Sequence, residues 1–379
     1  MKAGTRNAGR RTRKTPSVQV LDPPFRLPDA QPFSTAEVAT RLLAWYGHEG
    51  RSLPWRGTRD PYRIWLSEIM LQQTGVGTVI PYYERFLGVY PTVETLARAR
   101  IVEVVELWAG LGYYSRARNL HAAARAVVER HGGVFPADLA ALQDLPGVGR
   151  STAGAILSIA FDTPAPILDG NVRRVLCRLF ALAEDPRRPA AEKRLWGWAE
   201  AMTPADRPHD YAQAIMDLGA TLCTPKNPDC PRCPLAALCQ ARAQGLEREL
   251  PRSGKKVAVP TVLQVALLLE REGRFLVRRR PLSGMLGGLW EFPAAEVRSG
   301  EAPEVAARRL LTELGFSASA EEAGQVAHAY SHFKLDLRLY RSKADEPDRV
   351  AEGEERWINA AGLRELPLHG AHKKALIHL

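Results

Sequence analysis

Residues 142–172 read LQDLPGVGRSTAGAILSIAFDTPAPILDGNV, a short Gly-rich turn between two apolar helical runs with Asp169-Gly170-Asn171 following twenty residues later. In Leu145-Pro146-Gly147-Val148-Gly149 the two glycines permit a tight turn and close backbone approach. A helix starting near Ser151 turns its unpaired N–H groups back at that turn, which makes an anion site. An ordinary αα-turn with glycine at the bend has the same pattern, so the rest of the chain has to separate the two.

The chain has 379 residues, enough for two or three domains, and a formal net charge of +10. The excess of Lys and Arg favours a polyanionic partner, for which a DNA phosphate is the obvious anion. No apolar run approaches the roughly 18 residues a membrane helix needs, and no secretory signal opens the chain. These features predict a cytoplasmic, nucleoid-associated protein with no membrane partner.

Residues 1–31 carry Arg6, Arg10, Arg11, Arg13 and Lys14 with no acid before Asp22, and read as a disordered basic arm. An Arg-rich start of this kind also resembles a transit peptide but lacks an amphipathic stripe. Ser34-Thr35-Ala36-Glu37 predicts a capping box opening a helix with Val38, Leu42, Trp45 and Tyr46 on one side. A second helix starts at Pro61-Tyr62, carries Glu68 among Leu66, Ile69, Met70 and Leu71, and ends in Gln72-Gln73-Thr74-Gly75. Helical patterns continue at 76–88, 92–108, 115–131 and 137–145, with no strand signal through residue 240. After a linker at 248–260 the period changes. Val262–Leu269 and Phe275–Val277 flank Glu272-Gly273 as a hairpin, Leu335–Tyr340 alternates as a half-buried strand, and Pro303–Leu314 reads as a helix stopped by Gly315. The class is therefore a mainly α N-terminal region followed by a mixed α/β domain over 261–379.

Cys223, Cys230, Cys233 and Cys239 have six, two and five residues between them. Four thiolates in one tight loop suit a [4Fe–4S] cluster or a structural zinc, and spacing and softness alone do not separate them. Cys177 sits on an apolar helix outside this set and reads as a core residue.

Taken together, the turn at 145–149, Asp169 and the cysteine spacing resemble the endonuclease III superfamily of base-excision glycosylases. Within it, the runs WLSEIMLQQT (65–74) and GLGYYSRARNLH (110–121) and the C-terminal domain are similar to the MutY type, adenine DNA glycosylases. This resemblance identifies 142–172 with a helix-hairpin-helix DNA clamp using Gly147 and Gly149. It implies a glycosylase region over 32–247, with a six-helix barrel at about 64–166 and a cluster domain from 32–63 plus 167–247. It also implies a [4Fe–4S] cluster on the four cysteines, and monomeric action on double-stranded DNA with 8-oxoguanine:adenine or guanine:adenine mispairs.

The chemistry can be argued from the residues as well. Breaking an N-glycosidic bond needs a protonated leaving base and a stabilised oxocarbenium-like sugar. Glu68 in apolar surroundings has a raised pKa suited to protonating adenine N7. Asp169, beside Asn171 and at a helix start, should stay ionised and stabilise or capture the sugar, and it fits a helix N-cap too. Where endonuclease III-like lyases carry the Schiff-base lysine, this chain has Ser151, which cannot form an imine, so a monofunctional glycosylase is expected. Ser151 is also expected to cap the second hairpin helix. Gln72, Gln73 and Thr74 offer amides and a hydroxyl to an orphan base, and Tyr113 is the wedge candidate by the resemblance. Arg56 and Trp55 are expected to line the base pocket.

Gly287–Pro293 and Arg308–Phe316 resemble the Nudix fold, but Arg309 and Thr312 stand where two metal-binding glutamates belong. Nucleotide hydrolysis is therefore not expected. Tyr330-Ser331-His332 matches the family's Phe-Ser-His loop that inspects 8-oxoguanine, with a tyrosine in place of the phenylalanine. The alternatives are an endonuclease III-like glycosylase/lyase for oxidised pyrimidines, opposed by Ser151 and the C-terminal domain, and a non-catalytic iron–sulfur DNA-binding protein, opposed by Glu68 and Asp169.

Overall fold

A helix buried on nearly every side organises the first two-thirds of the protein. In the computed structural model, which describes residues 33–252, 254, 259–330, 332–344 and 355–379, helix α2 (Pro61–Leu71) exposes only Arg63 fully to solvent. The predicted arm at 1–31, part of the predicted linker, and Ser331 lie outside the described residues. Asp60 starts α2 by accepting the Tyr62 N–H at 2.9 Å, with Pro61 supplying a preset φ. Before it, α1 (Thr35–Glu49) begins at Ser34, which accepts the Glu37 N–H at 3.0 Å. The Glu37 carboxylate pairs with Arg41 instead of returning to Ser34, so the expected capping box is half formed.

Helices α3 (Val76–Val89) and α6 (Ser115–His131) lie where periodicity predicts them. The single helix expected over 92–108 is two, α4 (Val93–Arg98) and α5 (Ile101–Leu107). Ala99 is extended, and Glu103 reaches back to the Arg100 N–H, starting a new helix there. The hairpin comprises α7 (Leu139–Gln143), a turn through Gly147 at φ +79°, and α8 (Arg150–Phe161). Four more helices follow: α9 (Gly170–Leu179), α10 (Pro189–Met202), α11 (Pro208–Thr221) and α12 (Gln240–Ala243). Two hydrophobic cores meet at α2. Trp65, Leu66, Ile69 and Met70 pack with Phe86, Trp108, Leu120 and Ile156. On the other side, Ile64 packs with Leu42, Ile159, Leu176, Cys177 and Ile215.

The last third is built on a sheet of seven strands. The hairpin β1 (Thr261–Arg271) and β2 (Arg274–Arg279) turns at Glu272 and Gly273, both at positive φ. β3 (Trp290–Glu291) pairs with β2, and β4 (Ala294–Glu296) pairs with β1. After α13 (Pro303–Glu313) come β5 (Glu321–Ala329) and β6 (Lys334–Lys343). β6 runs parallel to β1 and antiparallel to β5, giving the order β3-β2-β1-β6-β5, while β7 (Glu355–Asn359) pairs with β2. Val265 to Leu269 are fully buried, as in a central strand covered on both faces. Their side chains alternate between a core under α13 and a core under α14 (Ala360–Glu365) and α15 (Gly370–Ala375).

The two regions interlock. Leu289, with no exposed surface, belongs to the core of α2–α6, and Leu286 packs beside it. Arg279 pairs with Glu106 at 2.7 Å, and Arg118 donates to the Gly284 carbonyl at 3.1 Å.

Glycine at 154 is required by proximity. A Cβ there would lie 2.2 Å from the Pro166 carbonyl oxygen. Alanine inside a helix normally gains about 1 kcal/mol over glycine, but this backbone oxygen has little room to retreat. Gly154→Ala is predicted to destabilise by about 1–3 kcal/mol, read as a lowered midpoint in denaturant unfolding.

Candidate active site and interdomain cleft

The carboxylates of Glu68 and Asp169 line one cavity of about 670 Å³ between α2, α8, α9 and α11. Rigid packing of α2 aims Glu68 into it. Burial raises the Glu68 pKa to about 7, the nearby Asp169 charge adds to the rise, and Arg56 opposes it. Asp169 is the N-cap of α9. Its Oδ1 accepts the Val172 N–H at 2.7 Å and its Oδ2 accepts from Asn171 Nδ2 at 3.3 Å. Burial raises its pKa, while the Val172 and Asn171 N–H groups and Arg174 pull it back.

Asn171 is held in turn. Its Oδ1 accepts from Arg174 at 2.9 Å, and Arg174 also donates to the carbonyls of Gly219 (2.6 Å) and Cys223 (2.7 Å). Ser151 lines the cavity but does not cap the hairpin helix. Gly149 is the N-cap, so Ser151 stands within the first turn, where its hydroxyl accepts the Leu168 N–H at 3.0 Å. It thereby ties α8 to the segment entering Asp169. Among the described residues lining the cavity there is no lysine.

Arg56 and Trp55 line the cavity, but Arg56 is committed elsewhere. Its guanidinium bonds Asp217 at 2.6 Å, Gln213 at 2.9 Å and the Tyr46 hydroxyl at 3.0 Å. Arg51 bonds the same fully buried Asp217. Sequence reasoning missed Arg51, Gln213 and Asp217. The only local signal is a lone aspartate in the apolar run of α11, and its partners lie over 160 residues away. Asp217 engages both arginines, and among the described residues neither forms a direct ion pair with Glu68.

Gln72, Gln73 and Thr74 form the cavity rim at the end of α2, with Gln72 Nε2 3.3 Å from Thr152 Oγ1. Tyr113 lines a different space, a cleft of about 1430 Å³ between the helical and sheet regions. Tyr330 and His332 line the opposite wall of that cleft. Arg116, also missed from sequence, joins cavity and cleft. Buried, it donates to the carbonyls of Ile69, Met70 and Gln72, to Thr74 Oγ1, and to the carbonyls of Leu111 and Gly112.

The four clustered cysteines are half-buried and form no disulfide. Arg178, almost fully buried, donates to Cys223 Sγ at 3.3 Å, and its own carbonyl accepts from Cys239 Sγ at 3.5 Å. Burial pushes the Cys233 thiol up to about 12, and the other three sulfurs add to the rise. Thiols so costly to ionise by themselves suit a site completed by positive charge. In the sheet region Glu313 pairs with Arg309, which also holds Glu301, so the helix that would bind Mg²⁺ in a hydrolase is internally neutralised.

The family profile described as HhH-GPD superfamily base excision DNA repair protein matches residues 66–201, and a NUDIX domain profile matches 264–378. The adenine DNA glycosylase of Homo sapiens is 38% identical over 395 residues, spanning 88% of this chain and 72% of that protein. That of Mus musculus is 37% identical, spanning 84% and 73%. A solved structure of a thermostable thymine-DNA glycosylase aligns with a TM-score of 0.50 and 31% identity, covering 55% of this chain and 97% of that one.

The Glu68 shift has a consequence for stability. Between 4.5 and about 7 the folded protein keeps a proton that the unfolded chain has released, so stability falls as pH rises through that window. Above it the ionised carboxylate costs up to about 3 kcal/mol, at about 1.36 kcal/mol per pH unit. Glu68→Gln is therefore expected to be more stable than the parent at pH 8, with the difference closing below about pH 4.5, as followed by denaturant unfolding across pH.

Proposed function

The chain belongs to the adenine DNA glycosylase family, it removes adenine from DNA in base excision repair, and we propose that its substrate is adenine opposite 8-oxoguanine or guanine, with Glu68 as the acid and Asp169 as the sugar's counter-charge. One observation carries the residue assignment: two carboxylates share a cavity in which burial holds one protonated near neutral pH while N–H groups surround the other.

The extruded adenine occupies the cavity, and Glu68 donates its proton to N7. With the base protonated, the electrons of the C1′–N9 bond leave with it and positive charge develops on the sugar. Asp169 stabilises that charge electrostatically or captures C1′, and water completes the hydrolysis, returning a proton to the site. Asn171, Arg174 and Val172 keep the Asp169 carboxylate oriented. With Ser151 in place of an amine no imine forms, so the reaction stops at the abasic site.

Gln72, Gln73 and Thr74 face the vacated position, Tyr113 wedges the stack, and the turn at Gly147–Gly149 receives a phosphate. Tyr330 and His332 read the opposite base from across the cleft, together with Ser331. That they line the same cleft as Tyr113 supports this reading.

Cys223, Cys230, Cys233 and Cys239 would hold a [4Fe–4S] cluster. Four half-buried thiols in one loop, free of disulfides and with Arg178 donating to Cys223 Sγ, are a soft, all-sulfur donor set of the kind such a cluster takes. When bound, the cluster supplies the cross-link that fixes the loop. Purified protein is expected to carry about four iron and four sulfide per chain; one zinc per chain would overturn this assignment.

Duplexes bearing 8-oxoguanine:adenine, guanine:adenine or thymine glycol test the whole reading. Adenine release with strand cleavage only after alkali is expected, slowing as pH rises through about 7 as Glu68 loses its proton. Glu68→Gln and Asp169→Asn should each slow release by at least about 10²-fold. Pyrimidine release with spontaneous cleavage would sink the proposal.

A further inference from the structure

We propose that His369 is a positioning residue for reading the base opposite adenine: it anchors the hydroxyl of Tyr330 and so fixes the ring presented to the cleft. The inference rests on the proposed role of residues 330–332 in that reading.

The sequence resemblance places a phenylalanine where this chain has Tyr330. The added hydroxyl lies in a part-buried position, where an unmatched polar group is costly. Here it is matched. Tyr330 Oη lies 3.0 Å from His369 Nδ1. His369 Nε2 faces Glu291 Oε2 at 3.5 Å, and an ionised carboxylate only accepts, so the ring proton sits on Nε2 and Nδ1 is left to accept from the Tyr330 hydroxyl. Glu291 is itself fixed by Arg278 and Arg280. Burial pushes the Glu291 pKa up, but the His369 hydrogen bond and Arg280 bring it down to about 2, so it remains a charged acceptor.

His369, His372 and Glu291 are close enough together to resemble a metal site, with their ligand atoms within 4.8 Å of one another. The contacts argue otherwise. Two guanidinium groups already occupy the carboxylate, and His372 Nδ1 accepts the Phe292 N–H at 2.9 Å. Glu291, His369 and the Tyr330 hydroxyl thus form one chain of polar contacts that the two guanidinium groups close at the carboxylate end.

The chain also anchors the loop mechanically. His369 follows Leu368, which bridges to Trp290 of β3, and the His369 N–H donates to the Trp290 carbonyl at 3.3 Å. The Tyr330 N–H closes its own turn on the Phe333 carbonyl at 2.9 Å, and the His328 ring stands edge-on to Tyr330 at 4.5 Å. The hydroxyl contact therefore adds a tether from the loop tip to the sheet, at the end of the ring farthest from the backbone.

The test compares kcat/KM for adenine release from 8-oxoguanine:adenine and guanine:adenine duplexes, taking their ratio. His369→Leu and Tyr330→Phe should each reduce the ratio about three- to tenfold, the scale of one hydrogen bond. The double variant should fall no further than the worse single one, because both remove the same contact. His369→Gln, whose amide oxygen can accept from the hydroxyl, should recover most of the ratio and keeps the test open should the leucine variant fold poorly. A ratio that His369→Leu and His369→Gln both leave at the parent value, or independent multiplication of the two single effects, would overturn the positioning role alone. A parent protein with no preference between the duplexes would overturn the reading of 330–332 itself, and this role with it.

Discussion

A buried arginine with no carboxylate partner among the described residues holds the helical half of this protein together. Arg116 points its guanidinium at six oxygens, five of them main-chain carbonyls, from the end of α2 and from the Gly110–Gly112 turn. Desolvation brings its pKa down to about 10, yet it stays charged at neutral pH. Removing a charge from water is costly, and the six acceptors around Nη1 and Nη2 offset that cost although Nε has no partner among the described residues. The two backbone segments are therefore bound to the same point. Gln73 and Tyr113, on either side of it, both sit at positive φ, conformations a side chain adopts only when its surroundings dictate them. The helix that carries Glu68 and the residue facing the interdomain cleft are thus parts of one rigid object.

A second constraint of the same type lies at the other end of the cavity. Asp217 gathers Arg51 and Arg56, and Arg174 joins Asn171 to the first carbonyl of the cysteine loop. Glu68 and Asp169 are 101 positions apart in the sequence, and much of what sets their environment comes from other segments. Glu68 keeps a high pKa because it is buried and Asp169 lies nearby, with Arg56 opposing the rise. Asp169 keeps its orientation because a helix start and an asparagine direct N–H groups at it.

What the sequence makes legible follows from how far each cause acts. The start of α2, the Glu272-Gly273 hairpin, the end of α13 at Gly315 and the strand at Leu335–Tyr340 have local causes, and each appears where periodicity and turn chemistry predict it. The division of 92–108 depends on one carboxylate reaching back to Arg100, a detail that helical periodicity hides. β5 and β7 are polar on much of their length and become strands by pairing with β6 and β2. Ser151 was legible as a missing amine but not as an acceptor for Leu168, because that partner is 17 residues on and meets it only in the folded chain. Arg51, Arg116 and Asp217 look like ordinary charged residues in sequence. Their importance comes from burial and distant partners.

The seating of Leu289 in the core of α2–α6 bears on how such a protein can be inherited. Two regions joined only by a tether can be exchanged between lineages as independent cassettes. Here one region completes the other's interior, so a helical half deprived of its companion keeps a leucine-sized vacancy in its core and must refill it from its own side chains. The boundary that looks like a seam in the sequence is, in the packing, a shared wall, and changes on its two faces have to be accepted together.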